Sequence, residues 1–273
     1  MKIKYTVLLF NLCFCLFSAQ NTKFIYDFKY KTNSNKKDFT QNKTILDIQG
    51  NKVQYYEQRA IKCDSINQNS SINSQSMYSY PFPKISRELG GNIHLNYNLL
   101  GSTYWKFSST DPIQWTLDQE TKTKNQWTLQ KATTHFGGRN WMAWFTQEIP
   151  ISEGPYKFVG LPGLVVELYD DAHNFEFELV KVEKNNKAVP DLVERVFKKK
   201  PLLISFEKYQ SLLLNSYQDP YAHYRSMKPG SWAIIHNDKE VNSVEGLNQM
   251  TKESQELFRK NYNPIEIDKA ISL

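Results

Sequence analysis

Phe24, Tyr26, Phe28 and Tyr30 occupy every second position of one short run. An extended strand turns that period into a single apolar face, whereas a helix would scatter it. The runs 44–48 and 53–57 flank Gln49-Gly50-Asn51-Lys52, a turn cluster between apolar segments that reads as a hairpin. Further strands are expected at 93–99, 103–107, 114–117, 127–134, 141–148, 164–169 and 174–183. Short strands broken by turn residues suit an antiparallel arrangement better than alternating β-α units. An aromatic fraction of 14% agrees, because aromatics favour pleated surfaces. Two helices are expected late. The first carries Phe206, Tyr209, Leu212, Leu213 and Tyr217 behind Ser205 as N-cap; the second covers 251–262 and stops at Asn263-Pro264. The expected fold is mainly β (α+β): a curved antiparallel sheet or open barrel with one or two packing helices.

The first residues read differently. Lys2 and Lys4 precede a short apolar run to Phe17, and Ser18-Ala19-Gln20 follows, the layout of a secretory signal peptide. The run is too short for a bilayer, which needs about 20 residues. Residues 1–19 are therefore expected to be removed, leaving 20–273 as a single β-rich domain that is exported. Its destination would be the periplasm, the outer membrane or the medium, with no transmembrane segment. Leu12 and Phe14 precede Cys13 and Cys15 where a lipidation site would want small residues, so no acyl anchor is expected. Cys63 then remains alone, without a partner for a disulfide or a C-x-x-C pair. The stretch 66–83, rich in Asn, Ser and Gln and ending in Pro81 and Pro83, reads as a mobile surface insertion.

Chemical motifs are scarce. No G-x-S-x-G, H-E-x-x-H, P-loop or dinucleotide fingerprint is present. Losing Lys2 and Lys4 with residues 1–19 would lower the formal net charge from +6 to +4, too mild to imply nucleic acid, whose binders carry clustered basic patches, and no cofactor is implied. His135, near Arg139, and His173, beside Asp170, Asp171, Glu176 and Glu178, are the positions from which a hydrolytic triad or a hard-cation site would be assembled by folding. Asp170-Asp171-Ala172-His173 lies between two strands, where a polar turn is the simpler reading. Trp105, Trp115, Trp127, Trp141 and Trp144 offer either a stacking surface or cross-strand core packing.

One stretch is unusually dense in conformational constraints. Pro150, Gly154, Pro155, Gly160, Pro162 and Gly163 fall within 16 positions, interleaved with Tyr156, Phe158, Val159 and Leu161. A flexible linker would be polar, so this loop is expected to fold back and pack beside Trp141 and Trp144, as a wall of an apolar cleft. Leu161-Pro162-Gly163-Leu164 fits a type II turn with Gly163 at φ > 0. Gly160, Pro162 and Gly163 are thus structural, while Arg139, Trp141, Trp144, Tyr156, Lys157 and Phe158 are the candidate ligand contacts.

Phe136-Gly137-Gly138-Arg139, Trp141 to Thr146, Ile149 to Phe158, and Gly160-Leu161-Pro162-Gly163-Leu164-Val165 together resemble the GLPGLI family, exported proteins of Bacteroidetes. Val165 stands where the family motif ends in Ile, a conservative departure. The resemblance implies export across the inner membrane of a Gram-negative bacterium and brings no catalytic or cofactor residues with it. The expected function is a non-enzymatic envelope binding protein for an apolar or amphipathic ligand or a protein partner. An exported hydrolase and a metal-binding envelope protein are the alternatives.

Overall fold

The computed structural model describes residues 21–70, 76–78, 80–184, 191–228 and 230–273. The expected signal peptide, with Cys13 and Cys15, lies outside the described residues. Strands β1 (Thr22–Tyr30), β2 (Thr40–Gln49) and β3 (Lys52–Glu57) lead into helix α1 (Arg59–Asn69). Next come β4 (Lys84–Glu88), β5 (Ile93–Leu100), β6 (Thr103–Thr110), β7 (Thr116–Lys124) and β8 (Trp127–Phe136). β9 (Arg139–Thr146), β10 (Leu164–Asp170) and β11 (Phe175–Lys184) complete the run of long strands. Helix α2 (Leu192–Arg195), the two-residue β12 (Leu202–Leu203), α3 (Phe206–Gln218) and α4 (Ala222–Arg225) follow. A small hairpin, β13 (Ile234–His236) and β14 (Lys239–Val241), precedes α5 (Val244–Lys260), after which Ile267–Lys269 forms one 3₁₀ turn.

Twelve strands form one sheet in the order β12-β6-β5-β4-β3-β2-β1-β11-β10-β9-β8-β7, and it is not closed. Every neighbouring pair is antiparallel except β12 on β6. The curvature of this sheet follows from one connection. β6 and β7 stand ten strand spacings apart in the order, about 48 Å in a flat sheet. Yet only Asp111 to Trp115 join them, and the six steps from Thr110 to Thr116 reach about 21 Å at most. The sheet must roll until its two ends approach each other, which is the open barrel expected from the strand spacing.

Its interior is aromatic. Phe24, Tyr26, Phe28 and Tyr30 point inward from β1 together with Leu46, Ile48, Tyr55, Trp141 and Phe145. Phe28 stacks on Phe177 at 4.2 Å between ring centroids. A second, smaller core lies on the outer face, where Ile25, Ile45 and Tyr56 meet Ala60 and Cys63 of α1 and Val193, Val196 and Phe197 from α2 and its exit. The period-two prediction for β1 thus holds, although its alternate residue Ile25 is buried too, under α1 and α2.

Three sequence expectations change on contact with the structure. The stretch 66–83 begins inside α1, where Asn67 is fully buried and its amide donates to the carbonyls of Ser76 and Val196 at 2.9 and 2.8 Å. Its far end enters the main core through Phe82, whose ring meets Tyr30 edge-on at 4.9 Å. Polar composition hid a helix whose buried positions Ala60, Cys63 and Asn67 have helical spacing. α3 starts as expected, with Ser205 accepting from the Lys208 amide, but α5 begins seven residues before the expected 251, because Ser243 caps it through the Gly246 amide. Gly163, finally, does not take φ > 0. Its amide donates to Leu161 O at 2.8 Å, a three-residue turn centred on Pro162.

Candidate functional site

The Gly/Pro-rich loop leaves β9 at Thr146 and returns as β10 at Leu164. Its shape is held by main-chain bonds: Leu164 N donates to Ile149 O at 3.1 Å and Val165 N to Glu153 O at 3.0 Å. Gly163 is required for approach. A Cβ there would sit 2.1 Å from the carbonyl oxygen of Thr146. Gly160 has φ +99°, a region that disfavours side chains, and the Trp115 indole donates to the adjacent Val159 carbonyl at 2.8 Å.

The loop packs inward as expected. Phe158 is fully buried, 4.6 Å from Trp141 and 5.2 Å from Phe136 between ring centroids. Trp144 is on the opposite face of β9, where the Lys122 ammonium lies 4.1 Å from its ring centre. The space beyond Tyr156 and Lys157 holds an ion-paired cluster, drawn from β4, β5, the β6–β7 connection and the segment after α5.

Arg87 and Glu153 form its first pair, both side chains wholly shielded from solvent. Glu153 also accepts from the Gly90 amide at 2.8 Å, and Arg87 donates to Tyr156 O at 3.1 Å. Lys157 Nζ lies 2.6 Å from Glu266 Oε1 and 3.0 Å from Asp111 Oδ2. Lys269 reaches the same two carboxylates, and the Tyr156 hydroxyl donates to Glu266. Three cations and three carboxylates thus balance, with Lys269 reaching in from a partly exposed position, which is what makes the burial of the others tolerable. His94 is fully buried beside them. Its Nδ1 is 3.2 Å from Asp111 Oδ2, but misaligned, so neither ring nitrogen makes a hydrogen bond.

Burial drives the His94 pKa down from its ordinary 6.5. For Asp111, burial alone would raise the pKa, but the His94 contact, Lys157 and Lys269 outweigh it and hold the carboxyl below its usual range. Glu266 is likewise held low against its burial, by Lys157 and Lys269. The signs agree. A folded chain with neutral His94 binds fewer protons than the unfolded one below pH 6.5, so stability falls as acid is added. Asp111 and Glu266 extend the loss below their ordinary values of 3.8 and 4.5. Urea midpoints should therefore drop from pH 7.5 to pH 5, and His94→Gln should flatten that drop. An unchanged pH slope in the variant would show that His94 takes no part.

The structure separates His135 from Arg139, whereas His173 stays beside Glu176, its Nδ1 2.8 Å from Glu176 Oε1. Arg139 points inward and its Nη1 donates to Asp170 Oδ2 at 3.2 Å, while His135 is exposed and pairs with Asn140 Oδ1 at 3.0 Å. Asp170 is fully buried and accepts from the amides of Asn174 and Phe175 at 2.7 and 2.8 Å. It anchors the β10–β11 turn, whereas Asp171 faces outward and accepts from the Asn140 amide. Among the described residues, no group of three or more His, Cys, Asp or Glu is placed to hold a metal ion. Arg139, Trp141, Trp144, Tyr156, Lys157 and Phe158 are all at most 8% exposed. Cys63 is buried too, its thiol pushed up by that burial, with Sγ 2.9 Å from Ser76 O. Arg87, Glu153, Asp111 and Glu266 escaped the sequence reading, since each lies in a different segment and no local pattern ties them together.

A groove opens on the outer face of the sheet. It has a volume of about 640 Å³ and is bordered by Thr133, His135, Asn140, Met142, Tyr169 and His173. Its wall is a stacked pair, Tyr169 and His173, with ring centroids 5.0 Å apart and planes 12° from parallel. A smaller hollow of about 330 Å³ shares that pair and adds Lys29, Lys124 and Glu176.

Residues 137–167 match the model of a family described as a protein of unknown function (Porph_ging). No curated protein matches the chain by sequence. Among solved structures it is similar to PNGF-II in two crystal forms, P21 and C2, each with a TM-score of 0.53 and 18% identity. Each match covers 73% of this chain and 34% of PNGF-II, so the chain spans about a third of that protein's length and shares its fold there. No helix among the described residues is long and apolar enough to cross a membrane. The stretch 137–167, from the β8–β9 turn through the loop into β10, is where this chain is similar to that uncharacterised family.

Proposed function

We propose that this is an exported, non-enzymatic binding protein of the GLPGLI type, which takes an amphipathic ligand on the outer face of β8, β9 and β10. The observation that carries the reading is the Tyr169–His173 stack bordering the larger groove. Two parallel rings give a ligand an apolar wall, and the Tyr169 hydroxyl is fixed by its contact with Met142 Sδ at 2.8 Å. Around that wall stand His135, Asn140 and Thr133, which offer donors and acceptors at a solvent-open rim. A wall of rings with a polar rim fits a ligand that has one apolar face and hydrogen-bonding edges. The reading of residues 1–19 as a signal peptide supports export, and the resemblance of the loop motif supports an envelope location.

The test is to purify the protein from the envelope of its own cells, denature it and identify the released small molecules by mass spectrometry. Wild type should release a compound that Tyr169→Ala releases at least tenfold less, with both proteins melting alike. Equal release from the two, or no compound from either, would overturn the groove assignment.

A further inference from the structure

The segment after α5 lies across residues that match the family model, and it is held there through its main chain as well as its side chains. Arg139 Nε donates to Ile265 O at 3.1 Å, and its Nη2 reaches Pro264 O at 2.9 Å and Asn263 Oδ1 at 2.7 Å. The Ile267 amide donates to Gly137 O at 2.6 Å. Gly137 and Gly138 have φ +64° and +76°, so the β8–β9 turn is open to left-handed backbone. They also clear the floor of the groove. A Cβ on Gly137 would sit 3.0 Å from the Glu266 Cα, and one on Gly138 would sit 3.3 Å from the Asp268 amide nitrogen. Glu266 drops its carboxylate between Lys157 and Tyr156, and Ile265 is buried in the main core beside it.

We infer that residues 137–139, with Tyr156 and Lys157, form a receptor for a peptide that carries a carboxylate next to an aliphatic residue and turns just after the acid, and that segment 263–271, with its 3₁₀ turn at Ile267–Lys269, occupies it in cis. The recognition is generic at the backbone and specific at the side chains of Asn263, Ile265 and Glu266. Arg139 and Gly137 read two carbonyls and one amide that any peptide presents. Lys157 and Tyr156 read the acid. A partner segment with the same Ile-Glu pattern would satisfy the same groups, in competition with a tethered copy whose effective concentration is of millimolar order. The segment therefore acts as a latch on the receptor, independent of the outer groove at Tyr169.

A fluorescent peptide comprising residues 262–273, titrated into the full-length protein, tests this by anisotropy. The wild-type chain, with its latch in place, should bind the peptide weakly. A Glu266→Ala chain, its own latch loosened, should bind it at least tenfold more tightly. A control peptide carrying Glu266→Ala should lose that gain. If the Glu266→Ala chain has no cooperative melting transition, Ile265→Ala takes its place under the same criteria. Binding to the loosened chain no tighter than to wild type, or equal binding of both peptides, would overturn the receptor assignment.

Discussion

Gly163→Ala is expected to destabilise the fold by about 3 kcal/mol, the upper end of what overpacking usually costs. The reason is the nature of the obstacle. The added methyl would lie 2.1 Å from Thr146 O, 2.7 Å from Thr146 C and 3.0 Å from Gln147 N. All three are backbone atoms, and none can rotate away as a side-chain tip would. Gly50→Ala is the informative control. Gly50 has φ +59°, and a Cβ there would meet nothing within 4 Å, so alanine carries only left-handed strain of about 1 kcal/mol. Urea denaturation of the two variants gives the comparison. Equal midpoints would mean that β9 and the loop separate readily and that Gly163 is not a point of forced approach.

The second large effect concerns the buried ion pair. Arg87→Ala removes the cation from Glu153 while leaving the carboxylate sealed from water. Breaking such a pair from one side costs about 3–5 kcal/mol, because an uncompensated charge stays behind. Removing both partners is a different experiment. Arg87→Met combined with Glu153→Leu should recover at least half of that loss, since burying neither charge avoids the desolvation of both. The Gly90 amide, which loses its acceptor, keeps the recovery incomplete. A double variant as unstable as the two single variants summed would show that the residues act independently.

The sheet was legible wherever one face of a strand was apolar. Phe24 to Tyr30 and the hairpin around Gly50 were readable from a short stretch of context, because register there is set by period and turn. β4 was not. Its sequence, Lys84 to Glu88, has one aliphatic residue, and its buried Lys84, Ser86 and Arg87 resemble a surface run. Arg87 is tolerated by a carboxylate 66 positions away. Lys84 rests against the rings of Tyr78, Tyr104 and Phe197 and has its pKa lowered by burial to about 8. Both compensations are tertiary, and no window along the chain contains them. The Gly/Pro loop was recognisable as a packed element for the opposite reason, since its restraints are local. The role of Gly163 was misassigned because a positive φ and a close backbone approach select the same residue.

The position of β1 has a consequence for the order in which the chain can acquire its shape. β1 is not an edge strand; it pairs with β2 on one side and with β11 on the other, joining Thr22 to Lys184. As the chain elongates, the first six strands can associate in sequence, but β1 keeps one row of amides and carbonyls unpaired until β11 appears about 150 residues later. Most neighbours in the sheet are consecutive strands, but the β1–β11 pairing has a very long sequence separation, and a step that must close so long a loop before it gains contacts is slow. Until that pairing forms, the exposed edge of β1 can pair with another chain. Refolding from dilute urea should consequently give higher yields at low protein concentration, because the intramolecular partner then competes only with itself.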